Sequence, residues 1–484
     1  MKKLYSVIPL LLGLSFAAVL AQNQAHRQET IGQAFSYGSR LEKYRQEAIN
    51  SLMEVNLADY RTAQAEEIAN LRQQTIAKIN QCEDYDEIDA IVSSYNRYLL
   101  TIKTDTQMTE EEAEEIPQSQ TYYISSLSDL IDFRDDVNSG YNFAGETVVL
   151  TQDIIIPNGY NFGDSIGHTN DTAFRGTFDG ADHKISGFTK TGADSVALFS
   201  RVTDGTVKNL IVENVNITCN GQRGAGLVAR LDSATLQNIR ITGSSSIKGT
   251  KESGGIAGVS LGNSAIIGCS NAAAVNGTTT YGIGGILGHV YSGTIAFSNC
   301  ENTGTVSSVG EYVGGIMGYT TASSTSITIT NCINRGNITS NAGNGCGGIL
   351  GATADNCVNL TLTIDGCVNY GTVTGMAHVG GVAGLPRASG YYTGGTSSSI
   401  IRCENRGNVI STSSSCVGGI VSRARINVVD CGCLPSVTLT SASISKTASE
   451  CNEIGNSKTP GYICALIDTS GNYRGNVSGS YLIA

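Results

Sequence analysis

Tryptophan is absent from this 484-residue chain, and proline (6), histidine (5) and methionine (5) are scarce. Charged side chains make up only 15% of it, with a net charge of −11. Each shortage excludes something. An acidic chain without a basic stripe argues against nucleic acid and against an anionic membrane surface as partners. The five histidines are His26, His168, His183, His289 and His378, and none is followed by Glu. The His-Glu-x-x-His motif of zinc peptidases is therefore missing. No Gly-x-Ser-x-Gly elbow and no phosphate loop appears. Low charge with little proline, beside abundant Gly, Ser, Thr and Asn, favours many short strands and turns over disorder. The lack of tryptophan weakens, without removing, a sugar-stacking reading.

The apolar runs are equally restricted. Residues 1–21 read as a signal peptide: Lys2 and Lys3 precede an apolar run from Leu4 to Leu20, and Val19-Leu20-Ala21 offers a cleavage site before Gln22. No later run reaches the roughly 18 apolar residues that a spanning helix needs. The expectation is a secreted chain, extracellular, at the cell surface or in the periplasm, with no integral membrane segment after cleavage.

What is present divides the chain. Residues 22–116 hold 18 of the 42 acidic side chains and nine of the 31 basic ones. Ile88, Ile91, Val92, Tyr95, Leu99 and Ile102 share one helical face, and Ile68, Leu71, Ile76 and Ile79 suggest an earlier helix. Asp84 or Asp86 is placed to cap the later one. The spacing predicts a small all-α bundle over 22–116, closed by the acidic run Glu110 to Glu115 as linker. Ile76 to Thr104 resembles the helical spacer modules of bacterial surface proteins.

From Tyr122 the pattern turns β-rich and breaks at Pro157-Asn158-Gly159. After Ile185 a repeat takes over. Its slots begin at Val196, Ala225, Gly254, Gly284, Gly314, Gly347, Gly380 and Gly418, in steps of 29, 29, 30, 30, 33, 33 and 38 residues. A fixed period near thirty denotes a solenoid. One period holds three short apolar runs, 265–269, 272–275 and 282–287, too short for helices and too rich in glycine. A leucine-rich repeat would need a Leu lattice, and a propeller blade some forty residues. The expectation is mainly β: a right-handed parallel β-helix of about eight or more coils. Residues 117–195 would form its N-terminal cap and first coils, 196–436 the repeats, and 437–484 a closing coil or cap.

Coils stack about 4.8 Å apart, so equivalent residues form columns. Ile256, Ile286, Ile316, Ile349, Val382 and Ile420 would fill the interior. The glycine pairs Gly254-Gly255, Gly284-Gly285, Gly314-Gly315, Gly347-Gly348 and Gly380-Gly381 would let backbone pack where a side chain would clash. Cys269, Cys300, Cys332, Cys367 and Cys403 share a slot with Leu210 and Ile239, so they read as small buried hydrophobes. Their stacking exceeds the Cβ separation of a disulfide, and ligands in a line do not make a zinc site. Cys431-Gly-Cys433 has the wrong spacing for zinc. Cys451 and Cys464 are left as a candidate pair in the terminal cap. Asn271, Asn302, Asn334, Asn369 and Asn405 suggest a stacked amide ladder.

Phe174-Arg-Gly-Thr-Phe-Asp-Gly180, His183-Lys-Ile-Ser-Gly187, Ala197-Leu-Phe199, Val207 to Asn216 and the Gly-Gly-Ile-x-Gly slots resemble the bacterial GLUG-repeat proteins over roughly residues 120–435. Ile124 to Ile156 looks like the opening cap of those domains. The resemblance implies a right-handed β-helix on a secreted or cell-surface protein, adhesin-like in many members. Related segments accompany IgA-cleaving metallopeptidases. It implies no shared catalytic residue.

No catalytic, cofactor or metal residue is assigned. From Gly255 to Asp430 the only acids are Glu301, Glu311, Asp355, Asp365, Glu404 and Asp430, scattered over coils. Glu301 and Glu404 share a slot about 14 Å apart by stacking, too far for a glycosidase pair. Asp164, Asp171, Asp179, Asp182 and Arg175 are the richer set, and Asp179-Gly180 reads as a turn. The best binding candidate is the loop that lengthens the last step, Arg387 to Gly395, where Tyr391 and Tyr392 could stack on a sugar. The favoured reading is a non-enzymatic, adhesin-like face for a glycan or another host or microbial surface ligand. A polysaccharide lyase or hydrolase using the N-terminal acids is the first alternative, and a purely structural surface protein the second.

Overall fold

The computed structural model describes residues 37–57, 62–82 and 85–99, and then 120–483 apart from 169–171, 387–397, 468–475 and a few single positions. The chain divides into two compact units, Met1–Ile116 and Pro117–Ala484.

Among the described residues the first unit holds three helices, α1 (Tyr37–Met53), α2 (Thr62–Ile79) and α3 (Tyr85–Leu99). Leu52, Ile68, Ile79, Ile88, Val92 and Tyr95 form its core, with Leu71, Ile76, Ile91 and Leu99 packed at the edge. The inward residues of α3 recur every three or four positions, which puts them on one stripe. Asp86 is the second residue of α3, not its cap. Asp84, Ile102 and the acidic run lie outside the described residues, as does the signal segment.

The second unit is a parallel β-solenoid of about ten turns. One turn shows how the sequence makes it. Ser264–Ile267 runs straight, Gly268 turns a left-handed corner (φ 61°), and Ser270–Asn271 continues in the same sheet. Ala274–Gly277, Tyr281–Gly284 and Leu287–Val290 follow, each in a sheet of its own. The turn thus has five strand segments where three apolar runs were expected. Single left-handed residues and the glycine pair cut each run into straight pieces. The corner recurs at Asn209, Asn238, Asn299 and Asn331, all with φ between 52° and 54°. Asparagine tolerates this region because its short amide can bond locally.

The residue after that corner is the cysteine slot. Leu210 pairs with Ile239, and Cys269, Cys300, Cys332, Cys367 and Cys403 continue the column, all buried. The column runs one coil further, to Cys431, because Glu404 pairs with Gly432. Every cysteine in the chain is a thiol. The expected Cys451–Cys464 pairing is absent: Cys464 lies in a strand against Val421, while Cys451 is half-buried outside the strands.

The amide ladder is continuous. Asn271 Nδ2 donates to Asn302 Oδ1 at 2.9 Å, Asn302 to Asn334 at 2.8 Å, Asn334 to Asn369 at 2.8 Å, and Asn369 to Asn405 at 2.9 Å. The same Nδ2 groups also donate to the carbonyls of Ala273, Gly304, Gly336, Gly371 and Gly407. Each asparagine is fully buried, so each bond replaces water that is not there. The second glycine of each pair makes room for it. A Cβ on Gly315 would lie 2.4 Å from Asn334 Cγ and 2.0 Å from Gly348 O. The glycine pair and the asparagine repeat together because they touch.

Ile256, Ile286, Ile316, Ile349, Val382 and Ile420 form the inner apolar column, none of it exposed. Each such side chain contributes about 1.5–3 kcal/mol by burial. The open first coil is closed by an element absent from the sequence expectation, the helix α4 (Leu127–Ser139). Ser126 caps its N-terminus and Gly140 its C-terminus. Phe133 on α4 packs against Phe143, Phe174 and Phe178 at 5.1–5.5 Å between ring centres. At the other end Thr438–Ser441 and Ile444–Thr447 form an antiparallel pair, and Val477–Ser478 and Tyr481–Leu482 supply the last rung.

Candidate functional site: an aromatic and arginine face

The sheet that contains Leu287–Val290 carries a column at the sixth position of each repeat slot, the residue after the third glycine where the slot reads Gly-Gly-Ile-x-Gly. In register it reads Arg201, Arg230, Val259, His289, Tyr319 and Ala352. A second column runs beside it on the left-handed corners before the glycine pair: Arg223, Glu252, Gly282 and Tyr312, with φ from 55° to 78°. Gly282 has no side chain, and a Cβ there would sit 3.5 Å from His289 Cβ and 3.7 Å from Tyr319 Cβ. The two columns therefore close on each other.

The result is a run of five rings over successive coils. His289 stacks on Tyr291 at 4.2 Å and 17°, and Tyr312 stacks on Tyr319 at 4.2 Å and 15°. Tyr281 meets Tyr319 edge-on at 5.5 Å and approaches His289 at 6.0 Å. His289 and Tyr319 are buried, while Tyr281, Tyr291 and Tyr312 are half-buried and bring the cluster to the surface. Lys251 lies over the Tyr281 ring at 6.0 Å.

Polar groups hold the rings. Tyr291 donates its hydroxyl to Glu252 Oε1 at 2.5 Å, and Glu252 is fully buried. Burial and this bond push the Tyr291 hydroxyl up to about 12. His289 Nε2 bonds to Thr321 Oγ1 at 3.1 Å. Burial, followed by Arg223 and Lys251, holds the imidazole neutral with a pKa lowered to about 3. The 3.8 Å approach of His289 Nδ1 to Glu252 Oε1 is therefore a contact of a neutral ring with a carboxylate at neutral pH. A neutral imidazole and a phenol that keeps its proton make a rigid aromatic platform, with no proton poised to move near pH 7.

The residues singled out in the sequence fall elsewhere. Tyr391, Tyr392 and Asp171 lie outside the described residues. Asp164 pairs with Lys190, Asp179 with Lys208 and Asp182 with Arg240, at 3.4–3.8 Å. Arg175 pairs with Asp204 at 2.6 Å. Only Asp182 joins a depression, of about 410 Å³, with Asp153, Lys184, Glu213 and Arg240. Its carboxylates are already engaged: Glu213 binds Lys184 at 3.1 Å, and the backbone N–H of Lys184, with His183, holds Asp153 below its ordinary pKa. Glu301 and Glu404 do share a column, separated by Ile333 and Val368. Among the described residues no three His, Cys, Asp or Glu side chains are placed to hold a metal ion.

The tyrosine and arginine columns escape a reading that looks for motifs along the chain, since their members stand about thirty residues apart. Glu252 lies three residues before Gly255, just outside the acid-poor stretch that runs to Asp430. The signal in the sequence is the sixth residue of each slot, which aligns as Arg, Arg, Val, His, Tyr.

No protein-family model matches the chain. Halomucin from Haloquadratum walsbyi (strain DSM 16790 / HBSQ001) is similar, 31% identical over 163 residues, which is 32% of this chain and 2% of Halomucin. The chain thus spans a small fraction of that relative's length. A solved structure from Bacteroides ovatus, described as a "putative immunoglobulin A1 protease", aligns with 78% of this chain and 85% of its own, at 17% identity and a TM-score of 0.35. No helix among the described residues is long and apolar enough to cross a membrane.

Proposed function

We propose that this chain is a secreted or cell-surface binding protein of the GLUG-repeat type, which presents its solenoid to a glycan without cleaving it. The observation that carries this reading is the run of half-buried tyrosines, Tyr281, Tyr291 and Tyr312, fixed by stacking and by the buried Glu252. Aromatic faces suit the apolar faces of sugar rings, and a rigid platform loses little entropy on binding. Repetition along the axis lets a polymer make several weak contacts at once. The signal-like N-terminus and the stretch similar to Halomucin support a surface location.

The acidic depression around Asp153, Asp182 and Glu213 favours a second reading, cleavage of a polysaccharide. Against it, the acids are ion-paired and Asp153 is held ionised, so no general acid stands ready there. One experiment separates the two. The full chain is applied to a panel of polysaccharides and glycoproteins, with and without Ca²⁺, and binding and soluble products are scored in the same wells. Binding without products, reduced at least tenfold in the double variant Tyr281→Ala, Tyr312→Ala, is the expected result. Product release that survives this double variant and is lost in Asp182→Asn would replace the binding reading with the enzymatic one.

A further inference from the structure

The tyrosine run continues at one end into a cluster of arginines that the reading above does not use. Arg230 pairs in register with Arg201 on the preceding coil. Arg223 approaches from the neighbouring corner, held at a φ of 69°. Arg201 is tied to Asp232 at 3.2 Å. Arg223 reaches Glu252 only at 3.6 Å between Nε and Oε2, too long for a hydrogen bond, and both of those atoms are buried without a hydrogen-bond partner. Arg230 Nε is likewise buried and unpartnered. The charges acting on Arg230 are Arg201, Arg223 and Asp232. Four cations, counting Lys251, thus face two carboxylates, in a protein whose net charge is −11. Tyr291 joins the two halves: its hydroxyl binds Glu252, and Arg223 lies against it.

The two carboxylates leave this group of guanidinium ions with an excess of positive charge, and Arg223 and Arg230 each keep an Nε–H without an acceptor, so a further anion would be stabilised here. A guanidinium fork matches a carboxylate or a sulfate with two parallel bonds. We propose that Arg230, flanked by Arg201 and Arg223, receives the acid group of an anionic glycan whose sugar rings lie along Tyr291, Tyr281 and Tyr312. This rests on the binding reading above and names its ligand class. The shared chemistry is an anionic oxygen pair on a sugar, supplied by a uronate or by a sulfate ester.

The test uses the full chain and polymers matched in backbone but not in charge. Polygalacturonate is compared with its methyl ester, and dextran sulfate with dextran. The expected result is that at least one charged member binds tenfold or more tightly than its neutral partner, and which pair shows this separates carboxylate from sulfate. Arg230→Gln should abolish that preference while leaving neutral binding within twofold, and Arg230→Lys should restore part of it. Lys248→Gln removes one charge from an exposed position on another sheet and should change nothing. The double tyrosine variant should weaken charged and neutral polymers alike. Equal binding of matched partners, or a preference unchanged in Arg230→Gln, would overturn the anionic-ligand inference and leave the tyrosine platform standing. Binding to neither member of either pair would overturn both.

Discussion

Asn334 stands at the centre of the amide ladder, and replacing it with alanine measures what the ladder contributes. Its Nδ2 donates to Gly336 O and to Asn369 Oδ1, and its Oδ1 accepts from Asn302 Nδ2, each at 2.8 Å. Alanine removes all three bonds. It strands the Gly336 carbonyl, Asn369 Oδ1 and one N–H of Asn302 in an interior without exposure. A buried polar group deprived of its partner costs about 1–3 kcal/mol, so the substitution should cost about 3–6 kcal/mol after partial relaxation. The double variant Asn302→Ala, Asn334→Ala no longer contains the stranded N–H of Asn302. It should therefore cost about 1–3 kcal/mol less than the sum of the two single variants. Guanidinium unfolding of the full chain gives the totals. Because solenoids unfold in parts, native-state hydrogen exchange at the amides of Ile333 and Arg335, which bond to Cys300 O and Asn302 O, locates the loss. A cost under about 1 kcal/mol for Asn334→Ala, or strict additivity of the pair, would refute the view that the amides are buried as a coupled ladder.

The glycines should separate into two kinds: Gly315→Ala meets backbone and amide at 2.0 and 2.4 Å and should lower the melting temperature by about 10 °C or prevent folding, whereas Gly145→Ala, with open space around it, should cost only about 1–2 kcal/mol of left-handed strain. His289, lowered to about 3 in the fold, titrates near 6.5 when unfolded. The unfolded chain then takes the proton first, so this contribution is complete above about pH 6.5 and is lost as pH falls toward 3. Unfolding curves should show an acid-side loss of order 4 kcal/mol that His289→Gln lacks, and parallel curves for the two proteins would sink the assignment. The thiols of Cys269, Cys300, Cys332, Cys367, Cys403 and Cys431 should resist alkylation for hours in the folded chain and react fully in denaturant, as burial also predicts for Cys433, pushed up to about 12. Mass spectrometry showing rapid modification of Cys300 without unfolding would contradict the column.

The solenoid was readable because its period forces chemically equivalent residues into contact. Cys269 and Asn271 are two residues apart in every coil, and that regularity alone implies columns. What periodicity does not carry is the ends and the corners. The helix α4 occurs once, and its apolar positions Leu130, Phe133 and Val137 are few and sit between strands, although Ser126 and Gly140 marked both its limits. Corners such as Asn238 are single left-handed residues within apolar runs, so five straight segments read as three. Cys433 shows a different failure. It occupies the asparagine slot, pairing with Asn405, but its residue type disguises the position. The candidate site was hidden for the opposite reason. Its columns change residue type from coil to coil, so no repeated residue marks the site, and only the fold brings Arg223, Glu252, His289 and Tyr312 side by side.

The hydrogen bonds that join one coil to the next all run along the solenoid axis. Tension applied along that axis loads them in series, so the weakest junction parts first and its neighbours stay intact. Each junction releases about thirty residues, or about 100 Å of chain at full extension. A tether of this design lengthens in steps and dissipates work at each one, and a force trace should show that repeat. The Asn271–Asn405 ladder bridges four successive junctions, which places the toughest segment in the middle of the rod and leaves the ends to yield first.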